Sequence, residues 1–252
     1  YPFNGNANDE SGNGNNGTVN GATLTSDRFG NSNSAYSFDG SDDFIQINNS
    51  NSLAFNNNNL SVSFWLEIPN YSLGSGNYTE RVPISKPPWH FETTDGIGSV
   101  GTPQFSVLGG CQYESQTTSV PLNNWAHIVS TYDGDTIQLY MDGVLLGENT
   151  CSSTTFNTSD LFFGQHSFSI QRFFLGKLDD IAIFNKELSY NEIMSLYNTT
   201  QVTSAVWSTG DTTTSITVSP TQTTTYYLTQ NGCTDSVTIT VADTSSSVTN
   251  IT

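Results

Sequence analysis

The sequence predicts an all-β protein: a two-sheet antiparallel sandwich with one short edge helix, followed by a small C-terminal β unit. Three observations carry this. Apolar residues alternate with polar ones over short runs, as on strands with one face buried and the other wet. Asp-Gly pairs separate several of those runs, which is a strong hairpin signal. Only one stretch combines helical periodicity with a capping sequence. The chain has 252 residues, with 15 Phe, 11 Tyr and 4 Trp to fill a core between sheets.

Residues 4–21 are mostly Asn, Gly and small side chains, which favour turns over packed elements. Ala35–Phe38 and Asp43–Ile47 read as strands around a turn at Gly40. In Leu60–Leu66, Leu60, Val62, Phe64 and Leu66 share one face. Residues 70–103 read as irregular, holding the segment Val82–Ser85 and an inserted loop, Pro87-Pro88-Trp89-His90-Phe91. A strand follows at 103–109. Trp125–Tyr132, Ile137–Met141 and Val144–Leu146 form successive hairpin strands, with turns at Asp133-Gly134 and Asp142-Gly143. Leu161–Gly164 and Leu178–Phe184 add two more.

Ser189-Tyr190-Asn191-Glu192 is a capping box ahead of a helix of about two turns that turns Ile193, Leu196 and Tyr197 to one face. Composition shifts near residue 200. The expected domains are a sandwich over 1–200, a Thr- and Ser-rich β unit over 203–243 and a polar tail or linker over 244–252. The second unit is small for an independent core.

There are 6 Lys+Arg against 23 Asp+Glu, a net charge of −17. Such a surface repels phosphate backbones, which excludes nucleic acid as a partner, and it suits divalent cations held by oxygen ligands. No apolar run has the length of a membrane span. The chain opens at Tyr1-Pro2-Phe3 inside a strand-like segment, which reads as a piece of a longer polypeptide. The three cysteines, Cys111, Cys151 and Cys233, form no zinc-ligand pattern. Cys111 and Cys151 fall in the sandwich and are expected to form a disulfide in an oxidising compartment, with Cys233 left over.

Four ordered segments resemble a known family. They are "AYSFDGSDDFIQI" (35–47), "LSVSFWLEI" (60–68), "NNWAHIVSTYDGDTIQLYMDGVLLGE" (123–148) and "GKLDDIAIFNKELSYNEIMSLYN" (176–198). Together they resemble the laminin-G-like, pentraxin-type jelly rolls of the concanavalin A-like lectin/glucanase superfamily. Residues 203–241 resemble the C-terminal half of immunoglobulin-like repeats in large secreted bacterial adhesins. The resemblances imply a secreted or cell-surface protein of bacterial origin.

Glycosidases also use this sandwich, so the fold alone does not decide activity. Retaining enzymes need two carboxylates about 5–5.5 Å apart. Here no Glu-x-Asp-x-x-Glu run exists, and Asp42-Asp43 and Asp179-Asp180 are expected to point to opposite faces of a strand. The expectation is therefore a non-catalytic protein. By resemblance, a structural Ca2+ is expected on Asp179, the carbonyl of Gly40 and Asp9 of the Asn-rich loop. A glycan platform is expected from Trp89, His90 and Phe91, presented behind the two prolines, with Tyr113 and Gln112 joining it.

The leading expectation is an extracellular recognition or adhesion module of a larger surface protein, binding glycan and calcium. The first alternative is a structural subunit of a bacterial surface fibre, contacting neighbouring domains or copies. The second is an auxiliary module of a polysaccharide-degrading enzyme.

Overall fold

The computed structural model describes residues 1–54, 59–70, 80–96, 99–107, 111–150, 159–167, 169–198, 206–212, 215–230 and 233–241. The chain divides into two units, Tyr1–Asn198 and Thr199–Thr252. In the first unit the strands run, in order, β1 (Gly17–Asn20), β2 (Thr23–Thr25), β3 (Ala35–Asp39), β4 (Phe44–Ile47), β5 (Leu60–Glu67), β6 (Glu80–Lys86), β7 (Trp89–Gly96), β8 (Ser99–Val107) and β9 (Cys111–Glu114). They continue with β10 (Ala126–Tyr132), β11 (Thr136–Met141), β12 (Val144–Thr150), β13 (Leu161–Phe163), β14 (Gln165–His166), β15 (Ser169–Phe173) and β16 (Leu175–Phe184). The helix α1 (Tyr190–Tyr197) closes the unit. The second unit holds β17 (Val206–Trp207), β18 (Thr224–Gln230) and β19 (Cys233–Ile239).

Two seven-stranded antiparallel sheets make the sandwich. One has the order β1-β4-β13-β6-β7-β8-β9 and the other β12-β11-β10-β5-β16-β3-β2. Alternation drives the facing. On β5, Leu60, Val62, Phe64 and Leu66 turn inward and are buried. Phe64 meets Phe91 of β7 edge-on across the sandwich, with ring centroids 5.0 Å apart.

Strand β10 does not alternate, since all seven of its residues are buried. The reason is a second, smaller core on the outer side of its sheet. There Val129, Tyr140, Leu188 and Ile193 pack together beneath α1. The capping box forms as expected: the Ser189 hydroxyl accepts from the Glu192 backbone N–H, and Glu192 Oε2 accepts from the Ser189 N–H at 2.9 Å. The β11–β12 turn is left-handed at both Asp142 (φ 51°) and Gly143 (φ 77°), as a two-residue hairpin requires. A Cβ on Gly143 would lie 2.6 Å from Met194 Sδ, so glycine lets this tip tuck under the helix.

One stretch corrects the sequence reading. Residues 70–103, expected to be irregular, contain β6, β7 and the start of β8. These pair as a meander, Ile84 with Phe91 and Phe91 with Phe105. Pro and Gly broke the alternation that would have signalled these strands. A bulge between Arg81 and Ile84 absorbs Pro83, which has no N–H to donate to the ladder.

Cys111 is buried and disulfide-bonded. Its expected partner, Cys151, lies outside the described residues. In the second unit β18 pairs with both β17 and β19. Across the β18–β19 ladder, Thr225 meets Thr238 at 2.8 Å and Thr229 meets Thr234 at 3.0 Å, hydroxyl to hydroxyl.

Candidate ligand cleft

The expected glycan platform does not exist as a platform. Trp89 is 1 % exposed and Phe91 is wholly buried, both facing the core from β7. Pro87-Pro88 is the tight turn between β6 and β7, not the root of a loop. Trp89 packs its ring 6.1 Å from that of Phe105. Strand alternation sends His90 to the opposite face. There its Nε2 lies 3.4 Å from Glu92 Oε2, and its ring 4.9 Å from that of His166. Gln104 donates to Glu92 at 2.5 Å and to the Ser106 hydroxyl at 2.9 Å. Glu92, Gln104, Ser106 and His166 are all buried, so this polar row is internal structure. Tyr113 donates its hydroxyl to the Leu146 carbonyl at 2.7 Å. The Gln112 carbonyl accepts from Asn149 at 2.8 Å. Both tie β9 to β12, the edge strand of the other sheet.

Of the three expected calcium ligands, Asp179 already has a cation beside it. Asp179 is buried on β16, and Arg28 occupies its carboxylate at 2.7 Å, while the same guanidinium reaches Asp180 at 2.7 Å. A bulge between Asp179 and Ala182, with Asp180 left-handed at φ 45°, brings both carboxylates to one cation. Strict alternation had placed them on opposite faces. Burial and the neighbouring Asp180 push the Asp179 carboxyl up to about 7, against the pull of Arg28. A site already filled by a guanidinium does not fit a metal ion.

Gly40 sits in the β3–β4 turn among Asp39, Asp42 and Asp43, whose carboxylates approach within 4.8 Å of one another. Asp42 and Asp43 precede β4, so strand alternation does not separate them. Asp43 accepts from the Asp39 N–H at 2.9 Å, and burial raises its carboxyl above the usual range. Asp9 lies in the N-terminal loop, and its charge, like those of Asp179 and Asp180, acts on the Tyr1 ammonium.

That loop forms one wall of a cleft of about 420 Å³. The wall is built from the sequence upward. Phe3 is fully buried against Tyr36 and Phe163 and anchors the segment to the core. Tyr1 exchanges both backbone hydrogen bonds with Ile181, at 2.8 and 3.1 Å, next to the β16 bulge. The Gly17 N–H returns to the Ala7 carbonyl at 2.8 Å and closes the loop.

Inside it, Asp9 accepts from the backbone N–H of Ser11 at 2.8 Å and of Asn15 at 2.9 Å. Burial alone would raise this carboxyl, but the hydrogen bonds from Ser11 and Asn15 outweigh it and hold it below the ordinary range. Asn15 is pinned by Ser50 and Ser52, at 2.6 and 3.0 Å. Leu53 and the β16 residues Ile181, Ile183 and Phe184 therefore share the lining of the cleft with the loop residues Asp9, Ser11, Asn13 and Asn15. The i, i+2 spacing of the loop residues was visible in the sequence, whereas the β16 part of the lining depends on a bulge that leaves no compositional trace.

The sequence profile described as "Concanavalin A-like lectin/glucanases superfamily" matches residues 38–194. A comparison with curated proteins returns no match. Among solved structures, the binding domain of Paraclostridial Mosquitocidal Protein 1 superposes with a TM-score of 0.63 at 18 % identity, over 79 % of this chain and 51 % of that one. Domain 4 of AbnA, a GH43 extracellular arabinanase from Geobacillus stearothermophilus solved with arabinotriose, gives 0.60 at 17 % identity, over 78 % of this chain and 95 % of that one. The receptor-binding domain of a botulinum neurotoxin C/D mosaic serotype gives 0.58 at 18 %, over 79 % and 50 %. The chain thus spans about half the length of the two toxin domains. At these identities the likeness is one of fold.

Proposed function

As a member of the concanavalin A-like lectin/glucanase superfamily, to which the chain belongs, this protein is, we propose, a non-catalytic extracellular module that recognises carbohydrate in the cleft beside its N-terminal loop. The observation that carries the reading is the cleft's mixed lining. Amide, hydroxyl and carboxylate groups of Asp9, Ser11, Asn13, Asn15, Ser52 and Asn185 share it with Leu53 and the β16 residues Ile181 to Phe184. A sugar ring offers the same mixture, with hydroxyls at its rim and C–H groups on its faces. The cleft's size falls in the range of small-ligand sites. The arabinotriose bound to the similar arabinanase domain supports the class of ligand, and the toxin receptor-binding domains support recognition as the task of the fold.

Hydrolysis is disfavoured by the same lining. Asp9 is the only carboxylate among its described lining residues, and acid–base cleavage of a glycoside takes two. The cleft also supports the calcium reading in a revised form. Asp9, Ser11, Asn13 and Asn15 offer an all-oxygen donor set, which suits Ca2+ over softer metals. The ion would neutralise Asp9 and bind the loop to itself.

One experiment addresses both. Calorimetric titration with arabino-oligosaccharides, backed by a glycan array, is run with calcium and with EDTA. Binding is expected to weaken about tenfold or more in Asn13→Ala, which removes a side chain that bonds to Ser11 of the same loop. Binding unchanged by Asn13→Ala, or a blank array with folded wild type, removes the carbohydrate reading. Identical titrations with calcium and EDTA remove the calcium.

A further inference from the structure

Lys86 is the most deeply placed cation among the described residues. It ends β6 and is 1 % exposed. Its Nζ donates to the side-chain oxygen of Asn49 at 3.0 Å and to the Ser159 carbonyl. Asn49 follows the end of β4, and Ser159 and Asp160 lead into β13, the strand between β4 and β6. The three strands run so that the end of β4, the start of β13 and the end of β6 adjoin: Leu161 opposes Ile47, and Phe162 opposes Ser85. Asp160 is fixed at this junction. Its Oδ1 accepts from the Asn49 N–H and its Oδ2 from Gln46, both at 2.8 Å. Its charge also acts on Lys86.

An amine held against a carboxamide, with a carboxylate hydrogen-bonded to the same asparagine's N–H and acting on the amine through its charge, is the set of groups needed for amide exchange. We propose that Lys86 and Asn49 condense into an intramolecular amide cross-link, with Asp160 relaying the proton. The step balances without oxidant or reductant. The Lys86 amine lone pair forms the Nζ–Cγ bond, and the Cγ=O pair moves onto Oδ1. As the carbonyl re-forms, the Cγ–Nδ2 bond breaks. Nδ2 leaves as ammonia, carrying the proton that Nζ sheds through the Asp160 carboxylate. The products are one secondary amide and one NH3.

Two features favour the reaction here. Positioning turns a bimolecular aminolysis into a unimolecular one. Burial, against the opposing pull of Asp160, lowers the Lys86 ammonium to about 8, so a useful fraction is the free amine near neutral pH. The bond would tie β4 to β6 across the start of β13 and close a loop between positions 37 residues apart.

Mass spectrometry of the whole chain tests this. The reduced wild-type protein is expected to weigh one ammonia less than its sequence. Its digest should contain a branched peptide joining the Asn49 and Lys86 segments. In Asp160→Asn, with native far-UV circular dichroism, cross-linking is expected to slow about a hundredfold, in the range of a lost proton relay. Wild type at full mass, with linear Asn49 and Lys86 peptides, overturns the proposal. An ammonia loss that maps to a succinimide at one of the Asn-Gly pairs overturns it too. Cross-linking at the wild-type rate in folded Asp160→Asn overturns the relay. Because the branched peptide is sought in wild type, misfolding of a variant leaves the test intact.

Discussion

The two units use β structure in opposite ways. In residues 1–198 two sheets face each other, and Phe38, Phe64, Phe91, Phe105, Phe163 and Phe174 are all buried between or beside them. In the second unit the large apolar side chains Tyr227 and Val237 are exposed, and the ladder carries paired threonine hydroxyls. A sandwich gains its stability from carbon removed from water, at about 25 cal/mol per Å². Among the described residues of the second unit the contacts are cross-strand pairs, each worth about 0.2–1 kcal/mol. The difference teaches that strand content by itself says little about robustness; what counts is how much carbon the strands take out of water.

The sharpest test of that contrast is Phe64→Ala. Removing a ring in contact across both sheets should cost about 3–5 kcal/mol, read as a lower urea midpoint for the sandwich. A loss under 1 kcal/mol would mean that the core is looser than its packing indicates.

A middle-sized effect comes from acid. All three histidines lie in the sandwich. Burial, then Arg28, pushes the His127 imidazole down to about 4. Burial, then His90 and Arg172, does the same to His166. Both stay neutral in the fold while the unfolded chain takes up protons near 6.5. Their contribution is therefore intact above pH 6.5 and is lost as pH falls towards 4, on the order of 2 kcal/mol for His127. Urea midpoints at pH 7 and pH 5 should show the sandwich weakening, and His127→Asn should flatten that dependence. An equal weakening in the variant would move the effect to other groups.

The smallest effect is Thr225→Ala, which deletes one hydroxyl pair of the second unit. It should cost less than about 1 kcal/mol and be visible only by a local probe such as amide exchange in β18. A cost well above 1 kcal/mol would mean that the hydroxyl pair carries more than a cross-strand contact.

Much of the fold was legible in the sequence because its information is local. Alternation placed β5 and β11; Asp133-Gly134 and Asp142-Gly143 placed the hairpins on either side of β11; Ser189 and Glu192 placed the helix. The site was not legible for the opposite reason. Whether Trp89 or His90 faces the core depends on the register of β7 against β6 and β8, and Pro83 and the double proline obscure that register. The role of Asp179 depends on Arg28, 151 residues away. A bulge, which reverses the facing of every residue after it, cannot be read from residue types alone.

The outer side of the second sheet carries a further consequence. Trp65 lies with its ring centroid 5.0 Å from that of His127 and 5.9 Å from that of Tyr197, both nearly parallel to it, and Arg28 sits 4.6 Å above the indole. The indole is thus covered by α1's Tyr197, by His127 and by a cation while α1 is docked. If the helix lifts, Tyr197 leaves and water reaches that face of the ring, which moves its emission to longer wavelength. The protein thus contains its own optical gauge of helix docking, readable without a label as the difference from a Trp65→Phe variant.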